Sequence, residues 1–326
     1  MSGLTLTLAA VVTLPIVLLA WVAMRFENDA GLRGRLRQMR DLVRLVVMSA
    51  HPTGPLYLLW SGHEFSSTTR FLNLGYWPGA NDIDEAATNL AELLAQRARL
   101  SSADEVLDVG FGYADQDLYW ARTHGPRRIV GINLAEHQVR VGRARVEAAG
   151  LSHQIDLREG SATRLPFGGH QFDVVLALEC AFHFDTREAF FQEASRVLVP
   201  GGRIALADLV LTGCDRGLVG RTLDAARARF WQIPEANLVD AAAYRAGLEA
   251  AGFTDVSIEV VTGDVLPPLR AEVKRRMREP AVRRKLHPLH RNPLSDFLSR
   301  ALLTHDWPFA PLDYVIVTAR RAARAP

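Results

Sequence analysis

Three side chains that could move or hold a proton sit at, or just beyond, the C-terminal ends of two apolar runs. Glu179 ends FDVVLALE, His183 lies four residues further, and Asp208 falls inside GGRIALADLV. An imidazole ionises near neutral pH, so His183 suits general-base work. Asp208, twenty-five residues later, could orient that imidazole and hold its charged form. Glu179 is a second candidate base, or a cap for a buried hydrogen bond. Another acid, Asp108, stands at the end of a third apolar run in VLDVGFGYADQD, followed by Gly110 and Gly112. Glycines two apart allow a tight turn and let a ligand lie against bare backbone. No Gly-Lys-Ser/Thr follows, and residues 113–115 hold no third glycine, so neither a phosphate loop nor a dinucleotide fingerprint is present.

These residues need a scaffold that brings strand ends together. From residue 85 onward, extended and helical segments alternate. EVLDVG, RIVGIN, IDLREG, FDVVLALE and GGRIALADLV read as strands. DEAATNLAELLAQRARL, QDLYWARTH, AEHQVRVGRARVEAAG and TREAFFQEASRVL read as helices, with Gly150 and Pro200 as stops. AAAYRAGLEAAGF is helical, and DVSIEVV and DYVIVTARR are extended. Such alternation predicts an α/β fold with a mostly parallel sheet covered on both faces. Ligands of such sheets bind beyond the carboxyl ends of the strands, where the candidate residues lie. Residues 266–308 are basic and proline-punctuated, and read as an inserted helical lid. Its arginines, Arg275, Arg276, Arg278, Arg283 and Arg284, could hold an anionic substrate, or could simply form a solvated or membrane-facing surface. His287, His290 and His305 in that stretch read as loop residues. No pair among them shows metal-ligand spacing with Cys or acidic partners, so no metal is expected.

The ordered set of motifs resembles the class I S-adenosylmethionine-dependent methyltransferases. VLDVGFGYADQD, GSATRLPF, FDVVLALECAFHF and RVLVPGGRIALAD carry that resemblance over about residues 70–320. NLGYWPG, GINLAEHQV and ECAFHF carry a closer similarity to the small-molecule group of tocopherol, sarcosine and dimethylglycine, sterol C-24 and rebeccamycin-type sugar methyltransferases. The resemblance implies a Rossmann-like seven-stranded sheet, mostly parallel with the last strand antiparallel, and S-adenosylmethionine as cofactor. It implies Asp108 near the methionine amino group and the Gly110 and Gly112 turn beneath the cofactor. It implies Asn133 and Gln138 at the ribose, Ser161 and Ala162 at the adenine, and Tyr76 and Trp77 as an aromatic cover. Many relatives carry an acid where Asn133 stands, and Asp-Ala where Ser161 and Ala162 stand. The sugar methyltransferases of the group are understood to use a His and an Asp at the His183 and Asp208 positions. In the sterol and prenyl enzymes an acid at the Glu179 position is thought to take a proton from a carbocation.

The ends of the chain add a location. Residues 4–24, LTLTLAAVVTLPIVLLAWVAM, carry no charge and are long enough to span a bilayer. Six arginines follow within twenty residues and no Lys or Arg precedes. The positive-inside rule therefore puts the remainder of the chain in the cytoplasm. A cleaved signal peptide is the competing reading, but its basic leading region is missing. The expected organisation is a transmembrane anchor at 1–24, a basic juxtamembrane helical segment at 25–69, and a methyltransferase domain at 70–326. A net charge of +2 over 326 residues argues against nucleic acid as the partner, and two cysteines make no disulfide framework. The expected function is a membrane-anchored methyltransferase acting at O or C of a lipophilic small molecule such as a polyketide, quinone, isoprenoid or sterol-like acceptor. N-methylation of a small amine, or cofactor binding without catalysis, are the alternatives. The sequence carries no signal for oligomeric state.

Overall fold

The computed structural model describes residue 66 and residues 68–213, 233–276, 278–285 and 312–323. The expected anchor at 1–24 and nearly all of the juxtamembrane segment lie outside these residues. Among the described residues no helix is long and apolar enough to cross a membrane.

Seven strands form one sheet. They are β1 (Glu105–Val109), β2 (Arg128–Asn133), β3 (Ile155–Glu159), β4 (Phe172–Leu178), β5 (Leu198–Leu211), β6 (Phe253–Val260) and β7 (Leu312–Arg321), in spatial order β3-β2-β1-β4-β5-β7-β6. The pairings from β3 across to β5 are parallel, and β7 runs antiparallel to both β5 and β6. The chain starts at β1, winds outward through β2 and β3, then returns to lay β4 on the other side of β1. That reversal is the switch point at which open α/β sheets leave a crevice.

Alternate side chains of the central strands enter opposite layers, as the two-residue period of a strand requires. Val106, Val174 and Leu176 pack with α1 (Ile83–Ala98) and α2 (Asp115–Thr123), where Leu90, Leu94 and Trp120 are fully buried. Leu107, Val175 and Ala177 pack on the other face with α4 (Arg187–Val197) and α5 (Ala241–Ala250), against Phe190, Phe191, Tyr244 and Leu248. Helix α3 (Glu136–Ala148) connects β2 to β3. Local sequence starts the helices: Asp82, Thr186 and Asp240 each accept a backbone N–H three residues on, as N-cap residues do.

Two further helices, α6 (Thr262–Arg276) and α7 (Pro280–Lys285), occupy the first part of the expected lid. The helical stretch begins at Thr262, not at 266, and runs through Pro267 and Pro268. A proline cannot donate to the carbonyl four residues back. The Asp264 carbonyl, which Pro268 leaves without that donor, accepts the Trp77 N–H at 3.0 Å.

Candidate functional site

A cavity of about 230 Å³ opens at the carboxyl edge of the sheet, across the switch point. Four strands end on it. Val109 ends β1 and Gly110 and Gly112 follow it, Ile132 and Asn133 end β2 with Leu134 after them, Gly160 to Thr163 follow β3, and Leu178 ends β4 with Glu179 and Cys180 after it. Gly110 has φ +84° and Gly112 φ +58°, both in the left-handed region. A Cβ on Gly110 would come within 2.6 Å of Cys180 Sγ, so the turn is packed tightly from behind. The bare backbone foreseen at this turn therefore forms part of the cavity wall.

Asp108 itself is fully buried, and its neighbours Val109 and Gly110 face the cavity in its place. The carboxylate lies behind the wall, where no donor meets either oxygen in good geometry among the described residues. Burial pushes its carboxyl up to about 7, despite the nearby Gln116 and Asp117 side chains. Asp117 is equally buried and is pushed up as well, by desolvation first and by the charge of Asp108 second. Asp108, expected near a ligand amino group, thus does not line the wall itself; it sits one layer deeper, behind the Gly110 turn.

At the end of β2, Asn133 Nδ2 donates to Gln138 Oε1 at 2.7 Å and lies 3.3 Å from the Gly112 carbonyl. Both amides line the cavity, and side chains of this kind can bind vicinal hydroxyls. Ser161 shares a 3.0 Å hydrogen bond with Thr163, and both line the cavity beside Ala162. Ile132, Leu134 and Ala162 supply an apolar surface for a flat ring. Bare backbone, a pair of amides and an apolar slot together fit the chemistry of S-adenosylmethionine.

Glu179 and His183 both reach the cavity. Glu179 has φ +53°, an uncommon conformation for a side-chain-bearing residue. Its Oε1 accepts the Leu74 N–H at 2.8 Å and the Tyr314 hydroxyl at 2.6 Å. Burial raises its carboxyl to about 7, the two donors pull it down, and the charge of Asp208 adds to the rise. His183 is half-buried in a single 3-10 turn, Ala181–His183, with its ring 4.2 Å from that of Phe182.

Asp208 does not join them. It is fully buried, and its carboxylate takes Arg187 Nε at 2.9 Å and the Tyr244 hydroxyl at 2.9 Å on Oδ2. Oδ1 takes the Leu209 N–H at 2.8 Å and Arg187 Nη2 at 3.3 Å. A carboxylate has about four lone-pair sites, and these four donors fill them. Asp208 therefore neutralises a buried arginine and has no site left with which to hold the His183 imidazole.

Tyr76 and Trp77 are also displaced from their expected place. Tyr76 packs at the edge of the core, and Trp77 is held by Asp264 and by the Leu74 carbonyl. The cavity is covered instead by Arg70, Leu72 and Asn73, slightly earlier in the same segment. That strap is tied down at three carboxylates: Asp84 holds Ser66, Thr68 and Thr69, Asp115 holds the Arg70 N–H at 3.1 Å, and Glu179 holds Leu74. The proximity of this segment was legible in NLGYWPG; its register was not, because Glu179 sets it from 105 residues away. Tyr314 gave no sequence signal beyond being a strand residue. In the lid, Arg275 pairs with Glu272 and Glu279 and Arg276 with Glu279, so part of its positive charge is neutralised within the helices. The side chains of Arg283 and Arg284, together with His287, His290 and His305, lie outside the described residues.

The methyltransferase domain family matches residues 107–206, the stretch from β1 to β5. An erythromycin 3''-O-methyltransferase from Saccharopolyspora erythraea is 36% identical over 265 residues, covering 79% of this chain and 86% of that protein. A 27-O-demethylrifamycin SV methyltransferase from Amycolatopsis mediterranei is 33% identical, over 59% of this chain and 69% of its own length. The crystal structure of a sarcosine dimethylglycine methyltransferase homologue from Galdieria sulphuraria shares the fold, with a TM-score of 0.62 at 21% identity over 82% of this chain and 97% of that one. With more than four-fifths of the erythromycin enzyme aligned above 30% identity, on a sheet whose cavity fits the cofactor, the chain belongs to the class I S-adenosylmethionine-dependent methyltransferases.

Proposed function

We propose that this enzyme methylates a hydroxyl group on a polyketide-type or glycosylated small molecule, with His183 as the general base. The observation that carries the reading is the position of His183 on the cavity wall just beyond β4. The cofactor, when bound, supplies an electrophilic methyl group on a sulfonium. The protein must hold an acceptor oxygen in line with it and remove the hydroxyl proton. His183 is the cavity-lining group whose ordinary ionisation lies nearest neutral pH, and it takes that proton at an imidazole nitrogen. The relatives named for O-methylation of erythromycin and rifamycin intermediates support the same acceptor class.

The remaining wall residues have binding roles. The Gly110 and Gly112 turn carries the methionyl end, with Asp108 buried directly behind it. Gln138, oriented by Asn133, meets the ribose hydroxyls. Ser161 and Ala162 border the adenine with Leu134. Glu179 offers Oε2 to the positive charge of the cofactor while Oε1 holds the strap. Its place in the cavity also supports a second reading, C-methylation of an alkene, in which the same carboxylate takes the proton.

The uncharged stretch at residues 4–24 and the arginines after it support a membrane tether, with the catalytic domain at 70–326 on the cytoplasmic side. A tether would concentrate the enzyme where lipophilic acceptors partition. Deleting residues 1–24 should move the protein to the soluble fraction with its methyl transfer intact.

The decisive experiment supplies methyl-labelled S-adenosylmethionine and an erythromycin lacking the 3''-O-methyl group, with mass spectrometry of the product. His183→Ala should lower the single-turnover rate by about 10² to 10⁴ and leave cofactor affinity unchanged. If His183→Ala keeps the wild-type rate while Glu179→Gln abolishes it, the hydroxyl reading is wrong and the carbon reading stands.

A further inference from the structure

The geometry points to Asn237 as a positioning residue for His183, an inference that rests on His183 being the base. Asn237 ends a 3-10 turn, Glu235–Asn237, just before α5, far from the cavity wall in sequence, and is 2% exposed. Its side-chain Nδ2 donates to the Phe182 carbonyl at 3.1 Å and to the Phe184 carbonyl at 2.7 Å. These carbonyls bracket His183.

The peptide entering His183 is held at both ends. Asn237 takes its carbonyl, and the His183 N–H donates to the Cys180 carbonyl at 3.0 Å. The peptide leaving it is held by the Phe184 N–H on the Ala181 carbonyl at 3.2 Å, and the next carbonyl returns to Asn237. A side chain swings about its Cα–Cβ bond, and the two flanking peptides set the direction of that bond. One turn of 3-10 helix, with its weaker hydrogen bonds, would not hold that direction alone.

Asn237 is in turn fastened to the sheet. Its Oδ1 accepts the Arg187 N–H at 2.9 Å, and its backbone carbonyl accepts Arg187 Nη1. Arg187 then donates to Asp208 and, at 2.6 Å, to the Leu209 carbonyl of β5. The chain of contacts runs from β5 through Asp208, Arg187 and Asn237 to the loop that carries the base. Asp208 thus serves His183 mechanically, at two removes. An amide is the side chain that the site needs. Its two N–H groups meet two carbonyls, and its oxygen meets a backbone N–H. A carboxylate there would set oxygen against oxygen.

The test is a double-mutant cycle on the single-turnover rate, with the erythromycin lacking its 3''-O-methyl group as acceptor. Asn237→Ala should slow transfer by about 10- to 100-fold, the order expected when a reacting group is misplaced, with cofactor affinity within about twofold of wild type. In a His183→Ala background the same change should cost less than about twofold, because groups that act as one unit are not additive. Equal losses in both backgrounds, or a wild-type rate in Asn237→Ala, overturn the assignment while leaving His183 as base. If Asn237→Ala does not fold, Asn237→Ser, which keeps one donor, goes through the same cycle, and failure of both to fold overturns it in favour of a purely structural role. If the macrolide is not methylated at all, the acceptor reading fails. The positioning claim is then decided without acceptor, by hydrogen exchange of residues 180–186 in the complex with S-adenosylhomocysteine. Exchange about tenfold faster in Asn237→Ala supports it, and unchanged exchange overturns it.

Discussion

Asp108→Asn should make the ligand-free enzyme more stable in mildly alkaline solution and flatten its dependence on pH. Asp108 has no exposed surface, and burial lifts its carboxyl from the ordinary 3.8 to about 7. The folded protein therefore holds a proton there that the unfolded chain has already lost between about pH 4 and 7. The stability from that proton is fully present below about pH 4, declines through the window, and is gone above about pH 7. Three pH units at about 1.4 kcal/mol each make the effect on the order of 4 kcal/mol. This titration belongs to the pair with Asp117, so the whole curve is read rather than one group. Asparagine does not ionise, and its amide can donate to Asp117. Urea unfolding followed by circular dichroism at pH 5, 6, 7 and 8 gives both slopes. The wild type should lose up to about 1.4 kcal/mol more per pH unit than the variant inside the window, so the variant should overtake it before about pH 7 and keep a constant lead from there to pH 8. Parallel pH profiles would show that Asp108 is ionised in the folded state throughout, and the account of a deep, wall-backing acid would fall with them.

Two other substitutions separate packing from chemistry. Asp208→Ala leaves Arg187, with 4% of its side chain exposed, as an unpaired buried cation. It should destabilise the fold by about 3 to 5 kcal/mol in chemical unfolding, whereas a catalytic role alone would leave unfolding unchanged. Gly110→Ala puts a Cβ 2.6 Å from Cys180 Sγ at φ +84°. It should lower stability by about 1 to 3 kcal/mol and weaken cofactor binding in calorimetry. Adding Cys180→Gly should recover part of the loss, and no recovery would assign the whole effect to the backbone.

Much of the scaffold was legible along the chain. A strand shows its period of two and a helix its period of 3.6 within a dozen residues, so each described strand was foreseen and α1 was located to within two residues at either end. The alternation of these elements also foretold that Glu179, His183 and the Gly110 turn would share one edge, since parallel strands joined by crossover helices all end on the same side. The lid was less legible: Pro267 and Pro268 read as interruptions, and the Trp77 contact that compensates one of them comes from outside the segment.

Which side chains touch at that edge was decided by the tertiary structure alone. Asp208 lies near the carboxyl end of β5 and His183 just beyond β4, and the sequence reading made them partners. Yet Asp208 points into the layer occupied by Arg187 and Tyr244, and four donors saturate it there. Tyr76 and Trp77 stand in the motif that reaches the cavity, but the bond from Leu74 to Glu179 slides the strap so that Arg70, Leu72 and Asn73 cover it. Asn237 reaches the Phe182 carbonyl across 55 residues, with no periodicity to announce it. Periodicity is a property of neighbours along the chain. A hydrogen bond between residues tens of positions apart depends on sheet twist, crossover path and rotamer, which exist only once the chain has closed on itself.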